Sequence, residues 1–238
     1  MIRTQSRTLA LWVASVAIAG SALLAYGATR YTDDDLGALV TLIVLGILAE
    51  RYAIGLFDSH VSLGVVTVLV AAVIAGPWGV ALVAPPIVLA GDLGTAAAWY
   101  KRVYNVGTYV LAGCAFAAIF AAFATQAQPD DWPAVLAPGL LGALANFAIN
   151  SALVASAIAL SKGEPILEAW RRRYQWLLPQ YVVIGLAAMA AATAYHVLGL
   201  WGFAVFAAPV IGIRHAYFYG ARGAGLSPRL DGELAKAA

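Results

Sequence analysis

Charge is what this chain has least of. Lys and Arg number 14 and Asp and Glu 12, together 11% of 238 residues, against about 25% in an average soluble domain. A chain so poor in charge cannot surround a core with a wet surface. The net charge of +2 offers no basic face for nucleic acid. A single cysteine, Cys114, excludes an intramolecular disulfide and leaves the redox compartment open. Signatures of soluble enzymes are missing too: no phosphate-cradling glycine loop, no HExxH and no CxxC, and no GxSxG nucleophile elbow. The three histidines, His60, His196 and His215, fall at different ends of the chain's map, so no shared metal site is expected. No cofactor is implied. Period-two alternation is absent, which excludes a membrane β-barrel.

What fills the chain instead is apolar sequence, 63% of it, with a mean hydropathy of +0.84. A spanning helix needs about 20 apolar residues. Eight runs qualify as candidate spans: Leu9–Tyr26, Leu36–Glu50, Val61–Ala75, Gly79–Trp99, Val103–Ala124, Ala134–Leu160, Leu177–Leu198 and Leu200–Tyr217. The second and third are short. Gly76-Pro77-Trp78 and Gly199-Leu200-Trp201-Gly202 punctuate the runs, so spans three and four, and seven and eight, are expected as tight hairpins. The abundance of small residues, with 23 glycines, suits close helix packing in lipid. The fold expected is all-α, a polytopic transmembrane bundle of about eight spans.

Counting Lys and Arg by loop sets the orientation. With the N-terminus inside, every basic residue except Arg30 falls on the cytoplasmic side, while Asp33, Asp34, Asp35, Asp130 and Asp131 fall outside. The N- and C-termini are therefore both expected in the cytoplasm, in a multi-pass protein of the cell (inner) membrane. Arg3 and Arg7 ahead of the first run also fit a signal peptide, but that run is longer than a signal core of about 7–15 residues. Residues 1–222 form one membrane domain. The stretch 223–238, mixed in Gly, Ser, Pro and charge, is expected as a disordered cytoplasmic tail.

An ionisable group inside a span costs at least about 2.5–3.5 kcal/mol and is kept for a reason. Asp92 is the one clear case, about 20 Å down span four from Gly79 at 1.5 Å per residue. Asn105, four residues past Lys101, sits at a similar depth. Asn146 and Asn150 share one helix face by their i, i+4 spacing. Gln180 and Tyr181 open span seven, and Glu50 and Arg51 close span two, on the same side. These groups either line one polar pocket around Asp92 or serve as interhelical glue, worth about 0.6 kcal/mol each. Pro85-Pro86 interrupts span four, either shaping a cavity or only bending the helix.

The loop from Ser161 to Trp176 reads as an amphipathic helix. Pro165 suits its first turn; Ile166, Trp170 and Tyr174 recur every four residues, and Arg171, Arg172 and Arg173 follow Trp170. Such a helix lies at the interface, its apolar side with Trp170 in membrane lipid and its arginines toward anionic head groups. The same arginines serve as orientation signals or as a docking surface for a cytoplasmic protein partner.

The stretch Gly76-Pro-Trp-Gly-Val-Ala-Leu-Val through Ala90-Gly-Asp-Leu-Gly94 resembles the substrate-binding S components of energy-coupling-factor vitamin transporters. It is still more similar to the multi-span membrane region that precedes HD-type phosphohydrolase or diguanylate cyclase domains in bacterial signalling proteins. Trp99-Tyr-Lys-Arg-Val-Tyr-Asn105, Asn146-Phe-Ala-Ile-Asn150 and Trp170 through Tyr181 carry the same likeness, over roughly Val61 to Tyr217. S components usually have about six spans rather than eight, and the signalling proteins carry a C-terminal catalytic domain for which this sequence has no counterpart. The resemblance implies a non-enzymatic protein that binds a small-molecule or lipid ligand, transporter-like or sensor-like. Two alternatives stand beside it: an anchor for a cytoplasmic partner through Arg171–Arg173, and an intramembrane enzyme on a lipid head group with Asp92 as acid or base. For the last, one carboxylate falls short of a catalytic constellation.

Overall fold

A computed structural model describes residues 2–51, 54–56, 59–61, 64–93, 98–124, 131–204 and 207. Its order is α1 (Ile2–Ala28), α2 (Leu36–Arg51), a small hairpin of β1 (Ile54–Leu56) and β2 (Ser59–Val61), α3 (Gly64–Gly91), α4 (Trp99–Phe123), α5 (Trp132–Lys162), α6 (Ile166–Arg173) and α7 (Leu178–Leu198). A single turn of 3-10 helix, Gln175–Leu177, leads into α7. The two strands pair antiparallel, with Ile54 opposite Val61. Everything that builds the core is helical, as continuous apolar runs without alternation require. Five helices are long and apolar enough to cross a membrane, and α2 is a shorter apolar helix.

Among the five, α3 needs a closer look, because it is two helices joined at a reversal. Gly76 adopts φ 57°, ψ −141°, a combination that in practice only glycine reaches. In a straight helix residues 71 and 79 would stand about 12 Å apart along the axis. Here a methyl group on Gly79 would overlap the carbonyl oxygen of Ala71, so the chain has turned back on itself. Its arms, 64–75 and 77–91, run about 18 Å and 22 Å at 1.5 Å per residue. The length that counts α3 among the five therefore belongs to the two arms together, and each arm alone is shorter than a hydrocarbon core of about 30 Å. Gly199 repeats the device at φ 59°, ψ −145°, and a methyl on Gly202 would overlap Ala194. Gly76-x-Trp-Gly79 and Gly199-x-Trp-Gly202 are thus the same turn used twice. Both expected hairpins are present at their turns. The eighth run, Leu200–Tyr217, is described only at 201–204 and 207, which are helical, and the stretch 223–238 lies outside the described residues.

Side-chain contacts fix how the helices run. Tyr104 near the start of α4 meets Trp12 of α1 and Leu153 of α5, so α1 and α4 run together and α5 runs against them. The α3 turn packs Trp78 on Tyr31, their ring centroids 5.1 Å apart, and Tyr195 donates a 2.8 Å hydrogen bond to Asp35. One end of the bundle therefore gathers Asp33, Asp34, Asp35 and Asp131, the acidic end. The opposite end carries Lys101, Arg102, Lys162 and Arg171 to Arg173, the basic end. Helix α3 is the hub, packed against α1, α2, α4 and α7. The core lies around it, with Leu39, Leu69, Val80, Val83, Ile87, Phe116 and Met189 fully buried. Close helix approach depends on missing side chains: a methyl on Gly107 would come within 2.9 Å of the Val16 carbonyl oxygen of α1.

Two expectations about span four change. The helix passes through Pro85 and Pro86, and Gly76 is the residue inside α3 that departs from helical geometry. The prolines therefore do not break it, and Ala84 and Ile87 beside them are fully buried. The span also ends earlier than Trp99: α3 stops at Gly91, and Trp99 begins α4. The sequence places Gly91 and Gly94 around that stop, and glycine disfavours continued helix and suits its C-terminal exit.

Candidate functional site

Polar groups are few in this bundle, and they collect toward the basic end of α5. On that helix Asn146 and Asn150 share a face, Asn146 being 3% exposed. Opposite them α4 contributes Tyr109 and Ala112, and the first arm of α3 contributes Val65 and Val68. These six residues line a small, partly open void of about 10 Å³, room for about one water molecule. A water there would find the two carboxamides and the Tyr109 side chain around it. Asn150 also donates to the Tyr181 hydroxyl of α7 at 3.4 Å, a long bond. Asn105 lies half-buried on α4, one turn before Tyr109.

The floor of this cluster at the basic end is closed by α6. Trp170 donates its indole N–H to the Ser151 hydroxyl at 2.8 Å, and Ser151 is almost fully buried. Phe147 links the pieces, its ring 6.2 Å from Trp170 and 4.8 Å from Tyr181 by centroids. Ala169 is fully buried. The expectation that Trp170 lies in membrane lipid therefore gives way: the indole turns inward, because the buried Ser151 hydroxyl needs a partner that lipid cannot supply. Burial pushes the Tyr174 phenol above its ordinary value of 10.0, with the Arg173 charge pulling the other way.

The arginines are partly engaged within the strap that carries α6 between Lys162 and Leu178. Glu164, which precedes Pro165 at the entry to α6, accepts from Arg173 at 2.6 Å and from Arg172 at 3.1 Å. Arg172 also lies 3.7 Å from Glu168. Arg171 is exposed and forms no ion pair among the described residues.

Of the six residues expected to bind a ligand, the structure brings Asn146, Asn150 and Tyr181 together, with Asn105 on the neighbouring helix. Gln180 is half-buried beside Tyr181. Asp92 does not line the void. It is the first residue past α3, half-buried in a turn, with its N–H on the Val88 carbonyl at 3.2 Å. Its surroundings differ from those expected of an acid within a span, because the packing of α2 on α3 brings the Glu50 carboxylate against Gly91, 3.4 Å from where a methyl there would stand. Two acids thus share that corner of the basic end.

Sequence reasoning passed over four polar side chains: Trp12, Tyr104, Tyr109 and Ser151. Trp12 donates to the Tyr104 hydroxyl at 3.2 Å, which itself donates to the Leu153 carbonyl at 2.7 Å. The signal was present, since Tyr104, Asn105, Thr108 and Tyr109 form a polar stripe on α4 at spacings of three to five. Among the described residues no group of three or more His, Cys, Asp or Glu is placed to hold a metal ion. No family model matches this chain, and neither does any curated protein or solved structure.

Proposed function

We propose that this chain is a non-enzymatic, multi-span protein of the cell (inner) membrane that binds a small polar or lipidic ligand in its polar core, as a transporter-like or sensor-like module. The observation that carries the reading is the convergence of Asn146, Asn150 and Tyr109 on one void, with Tyr181 behind them accepting from Asn150, inside an otherwise apolar bundle. Amides and phenols placed face to face in lipid are retained to meet each other or a guest. A void that holds about one water is far below the roughly 300 Å³ of an open ligand pocket. On this reading the described conformation is the closed one, and α6, with Trp170 seated on Ser151, covers the way in from the basic end.

Support for the membrane setting comes from the helix ends. Trp99 and Trp176 stand exposed near the basic end, and Trp132 and Trp201 near the acidic end, where amphipathic rings favour the two membrane–water interfaces. We read the basic end as cytoplasmic, with eight spans and both termini inside. Lys162→Cys should then resist a membrane-impermeant thiol reagent in intact cells while Asp34→Cys reacts. Labelling of Lys162→Cys from outside would reverse the orientation.

The binding test is mass spectrometry of small molecules and lipids that co-purify with the detergent-solubilised protein. Asn150→Ala should lose the co-purifying species while the protein stays monodisperse, and an unchanged complement would overturn the reading. Anchoring of a cytoplasmic partner through Arg171–Arg173 draws on fewer open groups, because Glu164 holds Arg173 at 2.6 Å. A lipid-modifying activity would rest on Asp92 with Glu50 beside Gly91.

A further inference from the structure

The inner side of α6 is spoken for by Ala169 and Trp170; its outer side is not. There, Ile166 and Leu167 are 50% and 59% exposed, a heavy apolar exposure for an eight-residue helix with three consecutive arginines. Leu167 and Arg171 share a face by their i, i+4 spacing, and Glu168 and Arg172 form the parallel row next to it. With Pro165 these residues line a depression of about 560 Å³. Its lining combines an apolar part, Pro165 and Leu167, with two guanidinium groups.

The chemistry of that lining selects a ligand. Guanidinium binds phosphate oxygens in a planar, two-pronged fashion. Arg171 has no ion pair among the described residues. Arg172 is held only by exposed contacts, to Glu164 at 3.1 Å and Glu168 at 3.7 Å, with its own side chain 61% exposed. Such surface pairs are weak and readily exchanged. Location then narrows the source of the phosphate. The strap connects Lys162, where α5 ends, to Leu178, where α7 begins, so it lies at the level where two long apolar helices reach their basic ends. Exposed Leu178 and Trp176 flank it. A phosphate accompanied by glycerol and acyl chain can satisfy both halves of this lining at once, whereas a free anion leaves Pro165 and Leu167 in water.

We propose that the outer face of α6 is a binding site for the phosphate of an anionic phospholipid headgroup, held by Arg171 and Arg172 with Leu167 and Pro165 against its glycerol and upper acyl segment. The site is separate from the polar core and does not depend on that core binding anything. Arg173, committed to Glu164 at 2.6 Å and outside the depression, takes no part. Glu168 opposes binding, since its carboxylate shares the depression and repels the phosphate.

The test uses the full chain reconstituted in vesicles of phosphatidylcholine mixed with phosphatidylglycerol, extracted gently and weighed intact with its retained lipids. Phosphatidylglycerol should be enriched over phosphatidylcholine, and Arg171→Gln with Arg172→Gln should cut that enrichment by about tenfold or more. Arg173→Gln should leave it within about twofold, and Glu168→Gln should raise it. Excess inorganic phosphate should not displace the lipid. The single variant Arg171→Gln, at an exposed position, guards against misfolding and should lose part of the enrichment while the protein stays monodisperse. Undiminished enrichment in the double variant would overturn the site. Equal loss in Arg173→Gln would reduce it to unspecific attraction, and displacement by inorganic phosphate would overturn the lipid as its ligand.

Discussion

Replacing Trp170 by phenylalanine removes one hydrogen bond and little else. The indole N–H reaches the Ser151 hydroxyl at 2.8 Å, and Ser151 is 1% exposed, so no solvent takes its place. The hydroxyl keeps its longer bond to the Ala148 carbonyl at 3.4 Å; what it loses is a donor. A polar contact of this kind in a membrane bundle averages about 0.6 kcal/mol and reaches roughly 1.7. We expect Trp170→Phe to cost about 1 kcal/mol. Trp170→Ala also gives up the ring contact with Phe147 and the buried part of the indole. For a fully buried tryptophan that change costs about 3–5 kcal/mol, so for this half-buried one we expect roughly 2–3. Ser151→Ala with Trp170→Phe should cost little more than either alone, a coupling of about 0.6–1.5 kcal/mol. The assay is unfolding of the detergent-solubilised chain by titrated SDS, followed by circular dichroism, with thiol labelling of Tyr174→Cys to report undocking of α6. Full additivity of the two single changes, or an Ala variant no worse than the Phe variant, would refute the docking of α6 through this bond.

Three further outcomes follow from the geometry. Gly76→Ala and Gly199→Ala should each lower the unfolding midpoint by the equivalent of about 1–3 kcal/mol, and wild-type midpoints would mean the reversals are not built on positive φ. Since burial raises the Tyr174 phenol above its ordinary 10.0, the unfolded chain releases that proton first. Docking of α6 is then fully supported below about pH 10 and weakens as pH rises through the folded value; proteolysis of the strap should accelerate over that window, and Tyr174→Phe should remove the effect. Gly107→Ile should separate α1 from α4, because even a methyl there meets the Val16 carbonyl at 2.9 Å, and would be read as a loss of several degrees in thermal stability.

Hydropathy located the helices because a continuous apolar run has no other way to satisfy its backbone in lipid. Glycine-containing punctuation between the runs located the two reversals, because only glycine enters their backbone geometry. Hydropathy erred on the end of α3, where Thr95 and the alanines Ala96, Ala97 and Ala98 extend a run compatible with helix, although Gly91 and Gly94 already favour a stop. That error moved Asp92 from a turn into a span and gave it the central role. The pairing of Asn146 with Asn150 was legible, since spacing alone puts them on one face. Which helix they face was not, and Tyr109 therefore went unnoticed. Trp170 was misdirected for a related reason: amphipathic spacing divides a helix into two sides without saying whether protein or lipid covers the apolar one. Ser151, nineteen positions away, decides it.

The lengths of the helices carry a consequence for the bilayer itself. On the membrane-spanning reading, α2 turns Val40, Val44 and Leu48 toward the acyl chains in a stripe of one residue per turn. Its sixteen residues cover about 24 Å at 1.5 Å per residue, some 6 Å short of a typical hydrocarbon thickness of about 30 Å. The thirty-one residues of α5 cover about 46 Å, enough to cross the hydrocarbon and reach through both interfacial layers, about 40–45 Å in all. Lipid must therefore be compressed on one flank of the protein and not on the other. Each ångström of mismatch costs a fraction of a kcal/mol, which favours shorter acyl chains beside α2. The same cost draws α2 toward any neighbouring protein that thins the membrane in the same way.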